Sequence, residues 1–262
     1  MGKTIQHTAD LLTRLRFSQT AQAFPELIEQ GKKNESTPIE FLQMILEYEL
    51  TQREEKLLQK RLKVANFPYY RPIEEFKLAE QPSLSRQNFK KLRELSWIEQ
   101  TYNLVFLGPT GTGKTFLSVG LGIEAVHEGY KVAFVTMGDL VYFLKTMEYT
   151  MRSMRQIKRF KQVDLLIIDD LMFMAMDRRE ANLFFHLINE IYENTSIILT
   201  SNKSPNDWGQ LIGDEIITGA ILDRIVQRAE IIQLSGDSYR LRHREGIFEN
   251  KKTVNKIDGL KN

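Results

Sequence analysis

Eight consecutive residues, Gly108-Pro109-Thr110-Gly111-Thr112-Gly113-Lys114-Thr115, carry the most specific chemistry in the chain. Glycines at this spacing let the backbone close around an anion, and successive N–H groups with a helix N-terminus hold its negative charge. Lysine and a hydroxyl in the last two places suit a triphosphate with its metal. Lys114 can reach the β- and γ-phosphates, and Thr115 can ligate magnesium. The pattern G-x-x-x-x-G-K-[ST] arises by accident in roughly 1% of chains this long. Its flanks sharpen it further: an apolar run, Leu104–Leu107, precedes the loop and a helical pattern, Phe116–Val126, follows. The segment predicts ATP and Mg2+ as cofactors.

Such a cradle needs an acid facing it, and Asp164-Leu165-Leu166-Ile167-Ile168-Asp169-Asp170 supplies two at the end of an apolar strand. Asp169 can hold the hydrated magnesium. Asp170 can orient or deprotonate an attacking water. Taken without the loop, the same pair would read as caps of the next helix. Thr200-Ser201-Asn202 closes the following apolar run. An amide there can bond the γ-phosphate or the water, although Asn is also a common turn residue. Arg224 and Arg240 suit charge developing on a transferring phosphoryl group, and either also suits a surface salt bridge.

The elements that must position these groups follow from periodicity. Thr37-Pro38-Ile39-Glu40 is a helix start with a capping box, and the helix runs to about Val64 without Gly or Pro. One weaker helix is expected before it, holding Leu11, Leu12, Leu15 and Ala23. Pro68, Pro72 and Pro82 mark residues 66–82 as a linker. Beyond it, short apolar runs at Asn103–Leu107, Val132–Thr136, Leu165–Asp169, Ile197–Thr200 and Ile231–Leu234 alternate with helical segments. Gly129 stands where a helix C-cap belongs. Strands separated by helices predict an α/β domain whose parallel five-stranded sheet lies between helices. The expected division is a small all-helical domain at 1–74, the α/β domain at 75–245, and a polar, loosely ordered tail at 246–262.

Composition excludes several classes. The 262 residues contain no cysteine, which removes disulfides, thiolate metal sites and cysteine nucleophiles. His7, His127, His186 and His243 lack ligand spacing. No apolar run approaches the ~18 residues of a membrane helix, and the N-terminus lacks a signal-peptide profile, so no membrane partner and a cytoplasmic location are expected. A net charge of +2 demands no polyanion, so any DNA face must come from local clustering. Between residues 140 and 161, Lys145, Arg152, Arg155, Lys158, Arg159 and Lys161 face Glu148 alone. Cations interspersed with Met and aromatic residues suit phosphate contacts, and a solvated charged helix is the plainer alternative. Residues 1–75 carry eleven cations and eleven acids. That balance suits protein docking better than a DNA grip, with packing onto the α/β domain as the alternative.

These elements in this order resemble an ATPase of the AAA+ class, and most closely the IstB family. Those are ATP-dependent helper proteins of certain insertion sequences, related to the DnaC helicase loaders. The resemblance rests on Asn103 to Thr115, Leu165 to Leu171, Thr200-Ser201-Asn202 with Trp208, Ala220-Ile221-Leu222-Asp223-Arg224 and Leu234 to Arg242. It extends into the helical region through Glu40-Phe41-Leu42, Glu47–Arg53 and Ala65-Asn66-Phe67-Pro68, and so covers nearly the whole chain. It implies that Asn202 and Arg240 are sensor residues and that Arg224 is a finger reaching a neighbouring subunit's ATP. It also implies an ATP-dependent homo-oligomer, ring or helical, that binds duplex DNA along the axis lined by the basic cluster and assists a separate transposase. A DnaC-like helicase loader is the nearest alternative; some loaders carry a zinc module, which a chain without cysteine is poorly placed to build. A small-molecule P-loop kinase and a binding switch with negligible turnover are the others. The chain departs from the pattern twice. Asp170 stands where Glu is usual, which implies slow or partner-dependent hydrolysis, and Met172-Phe173-Met174-Ala175-Met176 replaces the usual Gly-Tyr.

Overall fold

Five apolar runs pair into one parallel sheet in the order β2-β3-β4-β1-β5. They are β1 (Asn103–Leu107), β2 (Val132–Thr136), β3 (Leu165–Asp169), β4 (Ser196–Ser201) and β5 (Ala229–Gln233). The protein is described here by a computed structural model covering residues 2–171, 176–204, 207–208, 215–236 and 238–239. The tail at 246–262 and residues 172–175 lie outside the described residues.

Helices cover both faces of the sheet, so its strands are apolar on both sides rather than alternating with polar residues. Val105, Val135, Ile168 and Leu199 point into one core, shared with α7 (Met137–Thr146), α8 (Met151–Phe160), α9 (Arg178–Ile191) and α10 (Glu215–Val226). Their neighbours Leu104, Phe134, Ile167 and Ile198 point into the other core, shared with α6 (Lys114–His127), α4 (Arg86–Arg93) and α5 (Ser96–Glu99). Edge strand β5 is the exception, with Glu230 and Ile231 exposed.

The N-terminal helices are α1 (Gly2–Arg14), α2 (Ser18–Lys33) and α3 (Pro38–Ala65). The capping box forms as its spelling demands: the Glu40 N–H donates to Thr37 Oγ1, and the Thr37 N–H donates to the Glu40 carboxylate. Where one early helix was expected there are two. The chain turns at Arg16, whose φ of 64° is left-handed, and the Phe17 N–H reaches back to the Leu12 carbonyl. Helices commonly close this way on Gly; with Arg in that place the sequence carries no punctuation mark.

The expected linker needs the larger correction. The prolines do end α3, but Phe67, Ile73 and Phe76 draw the segment onto the second core. Residues Ile73–Glu75 and Leu78–Glu80 form two 3-10 turns. Ile73 is buried against Gly120 of α6, where an added Cβ would lie 3.0 Å from the Ile73 Cβ. Arg93 of α4 ties the segment down by pairing with both Glu74 and Glu124 of α6. The expected boundary at 74/75 therefore falls inside a packed wall.

Candidate active site

The carboxyl ends of β3, β4 and β1 lie side by side in the sheet, so three separate sequence motifs converge there. After β1, Gly108 takes a φ of 144°, and a Cβ on it would fall 2.0 Å from the Leu234 carbonyl oxygen. No side chain fits that approach. The loop then wraps to the N-terminus of α6, which begins at Lys114. Lys114 Nζ donates to the carbonyls of Gly108 (2.6 Å) and Pro109 (2.8 Å), which centres the ammonium on the loop. Thr112 Oγ1 donates to the Pro109 carbonyl at 2.9 Å and stiffens the same turn.

At the end of the loop, Thr115 Oγ1 donates to both carboxylate oxygens of Asp169 on β3, at 2.9 and 3.1 Å. Thr200 Oγ1 donates to Asp169 Oδ1 at 2.7 Å and accepts from the Asp170 N–H at 2.8 Å. Thr200 is thus the link between both acids, a role that motif reading missed although the residue stood within the quoted motif. Asp170 adopts a left-handed φ of 58°, so β3 stops sharply and its carboxylate lines the cleft. A hydroxyl and a carboxylate converging at this range are hard oxygen donors that fit Mg2+, which takes few protein ligands and completes its shell with phosphate and water. When bound there the ion would neutralise phosphate charge.

Burial pushes the Asp169 carboxyl up, against the lowering effects of the Thr200 and Thr115 hydroxyls. The folded state therefore holds this proton more tightly than the unfolded chain does. Stability is lost as pH rises from about 3.9, the ordinary aspartate value, through the raised one. Asp169→Asn keeps an acceptor for both threonines and removes the charge. We expect it to stabilise the nucleotide-free protein at neutral pH by about 1 kcal/mol, or roughly 2–4 °C in Tm. The gain should vanish in thermal melts below about pH 4. Mg2+-dependent ATP turnover should be lost in the same variant.

A cleft of about 1080 Å³ joins these groups and is lined by the loop, Asp169, Asp170, Thr200 and Asn202. Its far wall is the former linker, including Tyr69, Arg71, Phe76 and Lys77. Gln81 is buried and donates to the Thr112 carbonyl at 2.9 Å. The apolar spacing of Phe67, Ile73 and Phe76 among the prolines was the available signal for this wall, because a solvated linker has no use for it. Tyr239 also lines the cleft, and its N–H donates to the Gly111 carbonyl. Arg240 lies outside the described residues.

Arg224 is absent from the lining of its own cleft. On α10 it donates to Asn189 Oδ1 (2.8 Å) and the Ala220 carbonyl, with its guanidinium 4.9 Å from the Phe185 ring centre. The five basic candidates of α7 and α8 divide. Arg152, Arg155 and Lys158 are exposed on α8, whose buried face is Ser153, Ile157 and Phe160. Lys145 pairs with Glu180 at 2.7 Å. Arg159 turns inward: it reaches the Ala65 carbonyl at 3.4 Å and its Nε is buried without a partner among the described residues. Sequence alone could not anticipate this, because the end of α3 lies where Arg159 was expected to meet solvent.

The model of the IstB-like ATP binding proteins matches residues 10–246. The chain belongs to that family. An ATP-binding protein of insertion sequence IS21 from Pseudomonas aeruginosa is 37% identical to it over 234 residues, 89% of this chain and 88% of the relative. Among solved structures, the replication initiator DnaA of Aquifex aeolicus bound to AMPPCP superposes with a TM-score of 0.53 at 26% identity. That match covers 67% of this chain and 53% of the initiator. The DnaC helicase loader shares the fold, with a TM-score of 0.50 at 22% identity, over 65% of this chain and 97% of the loader. This IstB-family chain is thus an ATP-binding AAA+ protein of the insertion-sequence type, and the P-loop expectation holds. Among the described residues no helix is long and apolar enough to cross a membrane.

Proposed function

We propose that the chain hydrolyses ATP at sites shared between neighbouring subunits of an oligomer that forms on duplex DNA, and that this assembly helps the transposase of its own element. In this reading Lys114 and the loop 108–115 hold the phosphates, while Thr115 and Asp169 hold Mg2+. Asp170 and Asn202 position the water. Arg224 comes from the adjacent subunit, and Arg240 joins it at the γ-phosphate. Arg152, Arg155 and Lys158 take DNA phosphates, with Lys145 and Arg159 reassigned to internal support. Helices 1–74 dock the partner. Cytoplasmic action follows from that role.

The observation carrying the proposal is the split between the cleft and Arg224. The cleft gathers cradle, acids and amide from one chain, whereas the α10 arginine points away from it, held by Asn189 and Phe185. A residue set on the outside of its own subunit can serve a neighbour through a head-to-tail contact. Mixing tests this. Lys114→Ala and Arg224→Ala should each be nearly inactive alone. Equal amounts mixed should regain about a quarter of wild-type turnover, because that share of contacts pairs an intact Lys114 with an intact neighbouring Arg224. Normal hydrolysis by monomeric Arg224→Ala would contradict the proposal and favour a self-contained kinase-like site.

A further inference from the structure

A second cavity lies at the seam between the N-terminal helices and the ATPase core. It measures about 560 Å³ and is lined by Leu62, Lys63, Phe67, Tyr69, Tyr70 and His127 among others. Both α3 and α6 end beside it, at Ala65 and His127. Its walls are aromatic, its lining contains no carboxylate among the described residues, and Tyr70 Oη and His127 Nε2 are 3.2 Å apart across it. The approaching turns of α3, residues 56–66, carry Lys56, Lys60, Arg61 and Lys63 and no acid. Apart from Tyr69, none of these groups lines the nucleotide cleft.

We propose that this cavity docks an acidic peptide segment of a partner protein through one aromatic or large apolar side chain. The volume suits such an anchor, and aromatic walls reward its burial. The α3 cations complement carboxylates flanking the anchor. Tyr69 gives the docking a consequence. It lines this cavity and the nucleotide cleft alike, and its ring centre stands 6.4 Å from that of Phe116, the residue after Thr115. A side chain pressed against one face of Tyr69 bears on the nucleotide at the other, so peptide and ATP affect each other's affinity by one common factor. The cavity stands whether or not α8 holds DNA.

The test is selection of a randomised short-peptide library on the full-length protein, followed by anisotropy with the enriched peptides. We expect peptides bearing an aromatic residue among acids, with affinity falling at least about tenfold in Tyr70→Ala and in Lys63→Glu. Both residues are exposed, and unchanged melting and ATP binding would show the variants folded. Affinity should also differ with and without ATP. Failure to enrich, peptides that bind both variants as well as wild type, or an oligothymidine bound there in place of peptide would overturn the docking. Equal affinity in both nucleotide states would overturn the coupling through Tyr69.

Discussion

Lys114→Ala is expected to lower ATP turnover by about 10²–10³-fold, the scale on which preorganised charge stabilises a transition state. The reason is geometric. Glycine backbone alone can cradle phosphates, but only a cation at the centre of the loop meets charge developing at the β–γ bridge. Lys114 Nζ is held there by the carbonyls at both loop shoulders. Among the described residues the other cations lining the cleft are Arg71 and Lys77, which stand on the far wall, where Lys77 lies over the Tyr239 ring, and neither can replace it. Lys114→Arg should recover little, since a planar fork does not fit between two carbonyls shaped for an ammonium. Phosphate release at saturating Mg2+-ATP measures both. Turnover within threefold of wild type would remove Lys114 from the mechanism.

The second large effect concerns α8. Replacing Arg152, Arg155 and Lys158 together with alanine should weaken duplex DNA binding by roughly tenfold to a hundredfold at moderate salt, and the dependence of log affinity on log salt should flatten by about three. All three side chains are exposed and have no ion-pair partner among the described residues, beside exposed Met151, Met154 and Tyr149. They can therefore meet phosphates without breaking an internal contact. Lys145→Ala and Arg159→Ala serve as contrasts. They should leave the salt slope nearly unchanged and instead lower stability, because Lys145 pairs with Glu180 and Arg159 reaches the end of α3. A slope unchanged in the triple variant would refute this face as the DNA contact.

Much of this site is legible in the sequence because short-range rules impose it. A glycine loop between strand and helix has one common use, and an apolar run ending in Asp169 needs a reason for its acid. Sheet order is less legible. That β4 lies between β1 and β3, bringing Thr200 onto Asp169, is a long-range pairing that no local pattern encodes. The segment 66–82 misled for a related reason. Its prolines were read correctly as helix breakers, but breaking a helix does not loosen a chain, and Ile73 and Phe76 found an apolar surface on α6. The basic cluster showed the same limit. Spacing places Arg152 and Arg155 on one face, but whether a face meets water depends on what packs there, and Arg159 met the end of α3.

The central claim is that ATP gates assembly on DNA, and binding of a labelled duplex followed by anisotropy at fixed salt tests it most directly. With ATP the account predicts tight binding that disappears with ADP, without nucleotide and in Lys114→Ala. Equal binding in all three nucleotide states, or binding by a single subunit, would contradict it.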